Sequence, residues 1–277
     1  MQEIISKIKT KQFKDIDDAV VKKELDLVLK KNQKLAKEIQ GKVFNEKSAA
    51  VKQIIKLVKQ SLHYSYTSFQ KGTEKREKLL SELSKAKDKD ELIELHTKLL
   101  ETHASTKERI EIYETLYDDL FEITGKVTSI LDLGCGLNPL SLPWMKLKNT
   151  TYIASEFNSA DTKFIDQYFS LIKKNYSSCE LKTVVIDLKT EVEKVKKISV
   201  DVVFAWKVFD LLKTKEVEAV VKNCNSKYLI ASFSTETLGK KKMNKPQRTW
   251  FEMMLKRLNH SYEIKEYENE LFYIITL

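Results

Sequence analysis

The sequence predicts an α/β protein: a seven-stranded, largely parallel sheet covered by helices, behind an all-helical amino-terminal domain. Three observations predict it. Residues 129–136, Ser-Ile-Leu-Asp-Leu-Gly-Cys-Gly, carry a short buried-strand pattern into a glycine turn. Beyond that turn, strand-like and helix-like stretches alternate, the sign of a parallel sheet covered on both faces. Before about residue 100 there is no strand pattern and almost no Gly or Pro. The boundary is placed so that residues 1–102 form the helical domain and 103–277 the α/β domain.

In the helical part, Val51, Ile54, Ile55, Val58 and Leu62 recur on one face of an amphipathic helix. Ile16, Val20, Leu27 and Val28 suggest a similar face earlier. Residues 1–70 hold fifteen lysines against eight acids. A solvated helix face explains such charge, and so does a docking surface for nucleic-acid phosphates. His63, Tyr64 and Tyr66 follow the amphipathic helix, as core aromatics or as stacking groups. Lys85 to Asp90 alternates in sign and reads as a solvated loop before a helix from Glu91 to Leu100. Ser105-x-x-Glu108 has the form of a capping box. The helix it would start runs to about Phe121, with Ile110, Tyr113, Leu116, Tyr117 and Leu120 toward the core, and Gly125 breaks it. Arg109 falls among those core positions, where a bare positive charge is costly without a partner.

Strands are expected at Ser129 to Asp132, Thr151 to Ser155, Leu181 to Ile186, Asp201 to Trp206 and Tyr228 to Phe233. Helices fit Ala160 to Lys174, Thr214 to Asn223 and roughly Gln247 to Leu258. An antiparallel pair, Tyr262 to Tyr267 and Glu270 to Thr276, closes the chain. In open α/β sheets, ligands bind beyond the carboxyl ends of the strands, where a glycine turn lets backbone approach them closely. Here the first strand ends in Asp132, Gly134, Cys135 and Gly136, followed by Asn138-Pro139. The second ends at Glu156, an acid suited to the two ribose hydroxyls of an adenosine ligand. The third ends at Asp187-Leu188, suited to an adenine amino group and ring. The fourth ends at Lys207. Pro139 stands where a dinucleotide fingerprint needs its third glycine. The layout is therefore similar to that of a class I, Rossmann-like, S-adenosylmethionine-dependent methyltransferase.

Composition agrees with an enzyme acting on a polyanion. In 277 residues Lys and Arg number 49 against 40 acids, a net charge of +9. Three cysteines argue against a disulfide framework. Cys179 and Cys224 read as ordinary small apolar residues. His63, His96, His103 and His260 are scattered, so no metal is expected. No signal-peptide pattern and no apolar run of ~18–20 residues is present, and a cytoplasmic location is expected.

Longer strings carry a closer resemblance. HASTKERIEIYETLYDDLF (103–121), CGLNPLSLPWM (135–145), SFSTETLGKKKM (232–243), TWFEMM (249–254) and NELFYI (269–274) resemble the aminoglycoside-resistance 16S ribosomal RNA guanine-N7 methyltransferases. The similarity runs along essentially the whole chain. It implies S-adenosylmethionine as cofactor, S-adenosylhomocysteine as product, and 16S rRNA in the 30S subunit as partner, gripped by the helical domain. It implies cofactor contacts from His103, Ser105, Arg109, Asp132, Gly134, Cys135, Gly136, Asn138, Glu156, Phe157, Asp187, Leu188 and Lys207. In the family the arginine matching Arg109 holds the methionine carboxylate, a bidentate pairing that is strong and directional.

No acid–base residue is expected, because the guanine N7 lone pair is unprotonated and attack on the methyl needs positioning alone. A target base must leave its stack. Trp206, Phe209 and Ser232, with the basic residues Lys240, Lys241, Lys242, Lys245 and Arg248, are the candidates to hold it and its phosphates. The chain departs from the family here. Asp210 replaces a proline after Lys207, Ser234 replaces a proline, Glu236 stands where a base is usual, and Asn244-Lys245-Pro246-Gln247-Arg248 replaces a Glu…Asn-Tyr element. Another target, whether a different rRNA position, a tRNA or a small molecule, and a non-catalytic ribosome-binding factor are the competing readings. A monomer is expected.

Overall fold

A computed structural model describes residues 1–236 and 241–277, and its chain divides into two compact units: residues 1–70 with 158–160, and residues 71–157 with 161–277. The first unit is helical, with α1 (Gln2–Ile8), α2 (Asp18–Lys31), α3 (Gln33–Ile39) and α4 (Ala49–Leu62). Its core is the apolar face of α4, Val51, Ile54, Val58 and Leu62, with Val21, Leu25 and Val28 of α2 and Ile4, Ile5 and Ile8 of α1. Ile16 is buried as expected; on α2 the buried positions are Val21, Leu25 and Val28, one helical stripe, whereas Val20 and Leu27 stay half-buried. Tyr66 is a core residue whose hydroxyl accepts from Asn158 Nδ2 at 3.0 Å, whereas Tyr64 is 53 % exposed.

The second unit begins with α5 (Arg76–Leu83) and α6 (Lys89–Leu100). Leu80, Leu83, Leu95, Leu99 and Leu100 of these helices join the apolar cluster on one face of the sheet. The units thus divide at 70/71 rather than at 102/103: amphipathic periodicity marks a buried face without saying which core it covers. α6 starts with a true cap, Asp88 Oδ1 accepting from the Glu91 N–H at 2.8 Å while Glu91 Oε2 accepts from the Lys87 N–H at 2.8 Å.

At Ser105 the expected capping box does not form. His103 is the N-cap of the one-turn α7 (Ala104–Lys107), without a side-chain cap, and a 3-10 turn at Ile110–Ile112 separates it from α8 (Tyr113–Thr124). The continuous helix expected to Phe121 is therefore broken at Arg109, and α8 ends on Gly125 at φ 74°. The break leaves Glu108 directed at Lys207 rather than at its own helix start.

Seven strands follow: β1 (Ser129–Leu133), β2 (Thr151–Glu156), β3 (Glu180–Val185), β4 (Ser199–Trp206), β5 (Asn225–Ser234), β6 (Ser261–Tyr267) and β7 (Glu270–Thr276). Their order is β3-β2-β1-β4-β5-β7-β6, with β7 antiparallel to both its neighbours and the rest parallel. The intervening helices are α9 (Leu142–Met145), α10 (Ser159–Ile172), α11 (Glu193–Lys196), α12 (Thr214–Asn223) and α13 (Thr249–Arg257). Alternate strand residues serve opposite faces. Ile130, Val202, Phe204 and Ile230 face the α5, α6, α8 and α10 side, and Leu131, Val203, Leu229 and Ala231 face α12 and α13. The strand order reverses between β1 and β4, so the carboxyl ends of β1, β2 and β4 border a switch point of the kind that receives ligands. No helix among the described residues is long and apolar enough to cross a membrane.

Candidate functional site

At the end of β1 the chain turns through Gly134 (φ 58°) and Gly136 (φ 53°), both left-handed. A Cβ on Gly134 would lie 2.7 Å from Val208 Cγ2, and one on Gly136 would lie 2.9 Å from His103 Cε1. Backbone conformation and space thus both require glycine. The turn is tied to β2: Cys135 N–H donates to Ser155 O at 3.0 Å, and Gly136 N–H donates to Glu156 Oε1 at 2.7 Å. Phe157 contributes its N–H to Glu156 Oε2 at 3.1 Å. Burial pushes the Glu156 carboxyl up to about 8, the negative charge of Asp161 adds to this, and the Gly136 and Phe157 N–H groups oppose it.

Asp132 lies beneath this turn. Its Oδ2 accepts from Asn138 Nδ2 at 2.8 Å and from the Tyr152 hydroxyl, whereas its Oδ1 is buried with no hydrogen-bond partner among the described residues. Burial raises its carboxyl to about 6, against the two donors and the Arg109 charge. Asn138 is fixed in turn by the Tyr117 hydroxyl at 3.3 Å. Ser155 Oγ and Trp206 Nε1 are likewise buried without a partner among the described residues. Beyond β3, Asp187 Oδ1 accepts from the Lys189 N–H at 2.8 Å, and Leu188 is buried.

Arg109 is buried and forks onto Glu270 at the start of β7. Lys207 Nζ lies 3.2 Å from Glu270 Oε2 and 2.5 Å from Glu108 Oε2. Ser232 donates to Glu270 Oε1 and accepts from the Lys207 N–H at 3.1 Å. Lys207 itself sits at φ 56°, a left-handed bend that turns the chain off the end of β4. His103 is buried with Nδ1 3.0 Å from Ser105 Oγ. Burial, then the charges of Arg76, Arg109 and Lys207, pull its pKa down to about 3, so it is neutral.

The structure therefore brings together His103, Ser105, Asp132, Gly134, Cys135, Gly136, Asn138, Glu156 and Phe157 around one turn, with Arg109 and Lys207 in an adjoining ion cluster. It corrects the expectation of aromatic platforms for a base. Trp206 is no open platform: its ring stacks on Phe204 at 4.6 Å and Tyr117 at 5.6 Å, Phe272 meets it edge-on, and Arg109 lies 5.0 Å over it. Phe209 is fully buried against Phe233 and Phe251. Ser232 faces the ion cluster. The Arg248 guanidinium is engaged by Asp210 (3.2 and 3.0 Å), Ser234 O (3.0 Å) and Pro246 O (2.6 Å). Lys241, Lys242 and Lys245 are exposed, and Lys240 lies outside the described residues.

Sequence reasoning missed Glu270, Glu108, Tyr152 and Val208 as parts of the site. Glu270 carried a faint signal: an acid opening a strand that is otherwise entirely apolar up to Thr276. Such an acid needs a cation, and Arg109 in an apolar helix needed an anion.

Comparison with known proteins bears on this arrangement. A sequence model of the family described as ribosomal RNA methyltransferase (FmrO) matches residues 42–274. The chain is 27 % identical over 231 residues to a 16S rRNA (guanine(1405)-N(7))-methyltransferase of Micromonospora rosea, covering 80 % of this chain and 81 % of that protein. The solved structure of the 16S rRNA methylase ArmA is 29 % identical, with a TM-score of 0.56 over 73 % of this chain and 97 % of that one. The structure of the 16S rRNA methyltransferase RmtF in complex with S-adenosyl-L-homocysteine superposes with a TM-score of 0.75 over 99 % of this chain and 97 % of that one. At 17 % identity the latter likeness speaks to the fold.

Proposed function

The chain belongs to the ribosomal RNA methyltransferase (FmrO) family, and on that premise we propose that it transfers a methyl group from S-adenosylmethionine to N7 of a guanine in the decoding site of 16S rRNA, within the 30S subunit. The observation that carries the reading is the Gly136–Glu156 contact. It places a glycine turn and a buried carboxylate side by side at the ends of adjacent parallel strands, at the switch point.

The residues fit the donor. Glu156 would accept from its ribose hydroxyls, and Asp187 and Leu188 would meet the adenine. Asp132 offers its unpartnered Oδ1 to an ammonium. Arg109, whose Nε and Nη2 are taken by Glu270, would have Nη1 left to hold a carboxylate. When bound, the donor supplies an electrophilic methyl on a sulfonium. The chain's task is then to hold a base in line with that methyl, a proximity effect worth up to ~7–11 kcal/mol. No side chain has to take a proton, since the N7 lone pair is free. Asp132, ionised above about 6, favours a cationic ligand, and Glu156 does so where its proton is released. Lys241, Lys242 and Lys245 are exposed on the segment that follows β5, where a polyanion would be met. The lysine-rich first unit serves as the docking surface for rRNA, its positive excess giving affinity that falls with salt. An rRNA target places the enzyme in the cytoplasm, and methylation at the decoding site would confer aminoglycoside resistance.

The test incubates the purified protein with tritiated S-adenosylmethionine and isolated 30S subunits, then maps label by primer extension after borohydride and aniline cleavage. Cleavage at the decoding-site guanine is expected. Label elsewhere in rRNA would reassign the target. No label with cofactor binding intact would redirect the search to tRNA, and no cofactor binding would overturn the enzyme reading in favour of a ribosome-binding factor.

A further inference from the structure

Arg248 is the hub of the segment that follows β5. Its guanidinium bonds Asp210, Ser234 O and Pro246 O, lies 3.7 Å from Met243 Sδ and sits 5.1 Å over the Phe233 ring, while its N–H donates to the Tyr273 hydroxyl at 3.0 Å. With its side chain only 10 % exposed, it is a fixed internal cation rather than a solvated one. Around it the two arms of the segment are paired. Glu236 and Lys242 form an antiparallel bridge, and Met243 N–H donates to Thr235 O at 2.8 Å. Asp210 comes from the turn after β4, two residues beyond Val208, and Val208 is the side chain packed against Gly134. A path of side-chain packing, chain connection and hydrogen bonds therefore joins the glycine turn to the lysine-bearing arm.

We propose that Arg248 and Asp210 are positioning residues for the RNA substrate, fixing the backbone of the arm that carries Lys242 and Lys245 beside the carboxyl ends of β4 and β5. The inference rests on the rRNA methyltransferase reading above. Lys242 and Lys245 are exposed, so their ammonium groups are available to phosphates while the chain beneath them is held. Holding that chain before binding removes part of the ordering entropy that a loose loop would lose on the RNA. Asp210 and Arg248 are also among the positions where this chain departs from the family pattern, and their side chains pair with each other. Those two departures thus form one unit rather than two separate defects.

The test compares Arg248→Met, Arg248→Lys and the double variant Arg248→Met/Asp210→Asn with the wild type. The readouts are S-adenosylmethionine affinity, KM for 30S subunits, and the slope of log KM against log salt. Positioning predicts unchanged cofactor affinity and a KM raised about tenfold in Arg248→Met and in the double variant. The salt slope should be shallower by about one to two, since every phosphate that is no longer neutralised takes away roughly 0.7–0.9 of slope. Arg248→Lys should not restore the wild-type values, because an ammonium cannot fork across Asp210 and Ser234 O. Full restoration by lysine would overturn the proposal in favour of direct phosphate contact. Restoration in the double variant would overturn it in favour of simple repulsion by Asp210. Unchanged KM and slope in Arg248→Met would also overturn it. A wild type that binds cofactor but labels no rRNA would remove the functional reading and this inference with it.

Discussion

Arg109 and Glu270, separated by 161 positions in the chain, meet as a fully buried bidentate pair: Nε lies 3.0 and 2.9 Å from the two carboxylate oxygens and Nη2 2.8 Å from one of them. Lys207 joins the same carboxylate from the end of β4. Three elements that converge on the sheet's carboxyl edge are thus held by one acid. Burial by itself would raise the Glu270 pKa, but the Arg109 and Lys207 charges outweigh it and hold the carboxyl below its ordinary 4.5.

Replacing Glu270 by Ala should therefore be among the most damaging changes in the molecule. It leaves Arg109 buried without its anion, a loss of ~3–5 kcal/mol. Urea unfolding of Glu270→Ala measures it. The contribution of Glu270 is present above pH 4.5 and is lost as pH falls through its lowered folded value, so wild-type stability should drop on acidification while Glu270→Ala responds less.

Glu156 predicts a pH dependence of the opposite sign. Its folded value of about 8 lies above the ordinary 4.5, so its contribution to the stability of the ligand-free protein is fully present below 4.5 and is lost as pH rises through about 8. Asp132 adds the same sign between 3.8 and about 6. Thermal melts from mildly acidic to mildly alkaline pH should show the decline, and Glu156→Gln should flatten its upper part. Cofactor affinity, if Glu156 binds the ribose as an anion, should rise over the same window in the wild type and stay level in Glu156→Gln. Titration calorimetry in buffers of different ionisation enthalpy reads the accompanying proton release.

The glycine turn makes a steric prediction. Gly134→Ala places a Cβ 2.7 Å from Val208 Cγ2 at φ 58°, adding a left-handed backbone penalty of ~1–2 kcal/mol to the clash. Cofactor affinity should fall sharply. Gly134→Ala/Val208→Ala removes the clash and keeps the penalty, so it should recover part of the affinity. If the double variant is no better than the single, Val208 is not the wall that shapes the turn.

Lys207 separates backbone from charge. At φ 56°, Lys207→Gly relieves the backbone while Lys207→Ala does not, so the glycine variant should be the more stable by ~1 kcal/mol. Both lose the ammonium beside Glu108 and Glu270, and both should lose methyl transfer to 30S subunits. Retained transfer in either variant would remove Lys207 from the site.

Much of the second unit was legible in the sequence. β7 and α12 were located at their observed bounds, and the other six strands to within a few residues at each end. These are local signals: a period of two, a period near 3.6, and glycine where the backbone must turn. The acids at the ends of β1 and β2 were legible for the same reason, because they follow apolar runs directly. The helix broken at Arg109 was not legible. Ser105 and Glu108 have the residue types of a capping box, but Glu108 is drawn instead to Lys207, 99 positions away.

The chain's own order of residues was thus enough to determine the strands, the Gly134–Gly136 turn and the acids Asp132 and Glu156, since each depends on neighbours in sequence. Only the tertiary structure decided that α5 and α6 cover the sheet, that Trp206 is walled in by Phe204 and Tyr117, and that Arg109 answers to Glu270 and Arg248 to Asp210. Pairings of buried charges and rings depend on which distant segments the sheet order brings to one edge, and no local pattern encodes that.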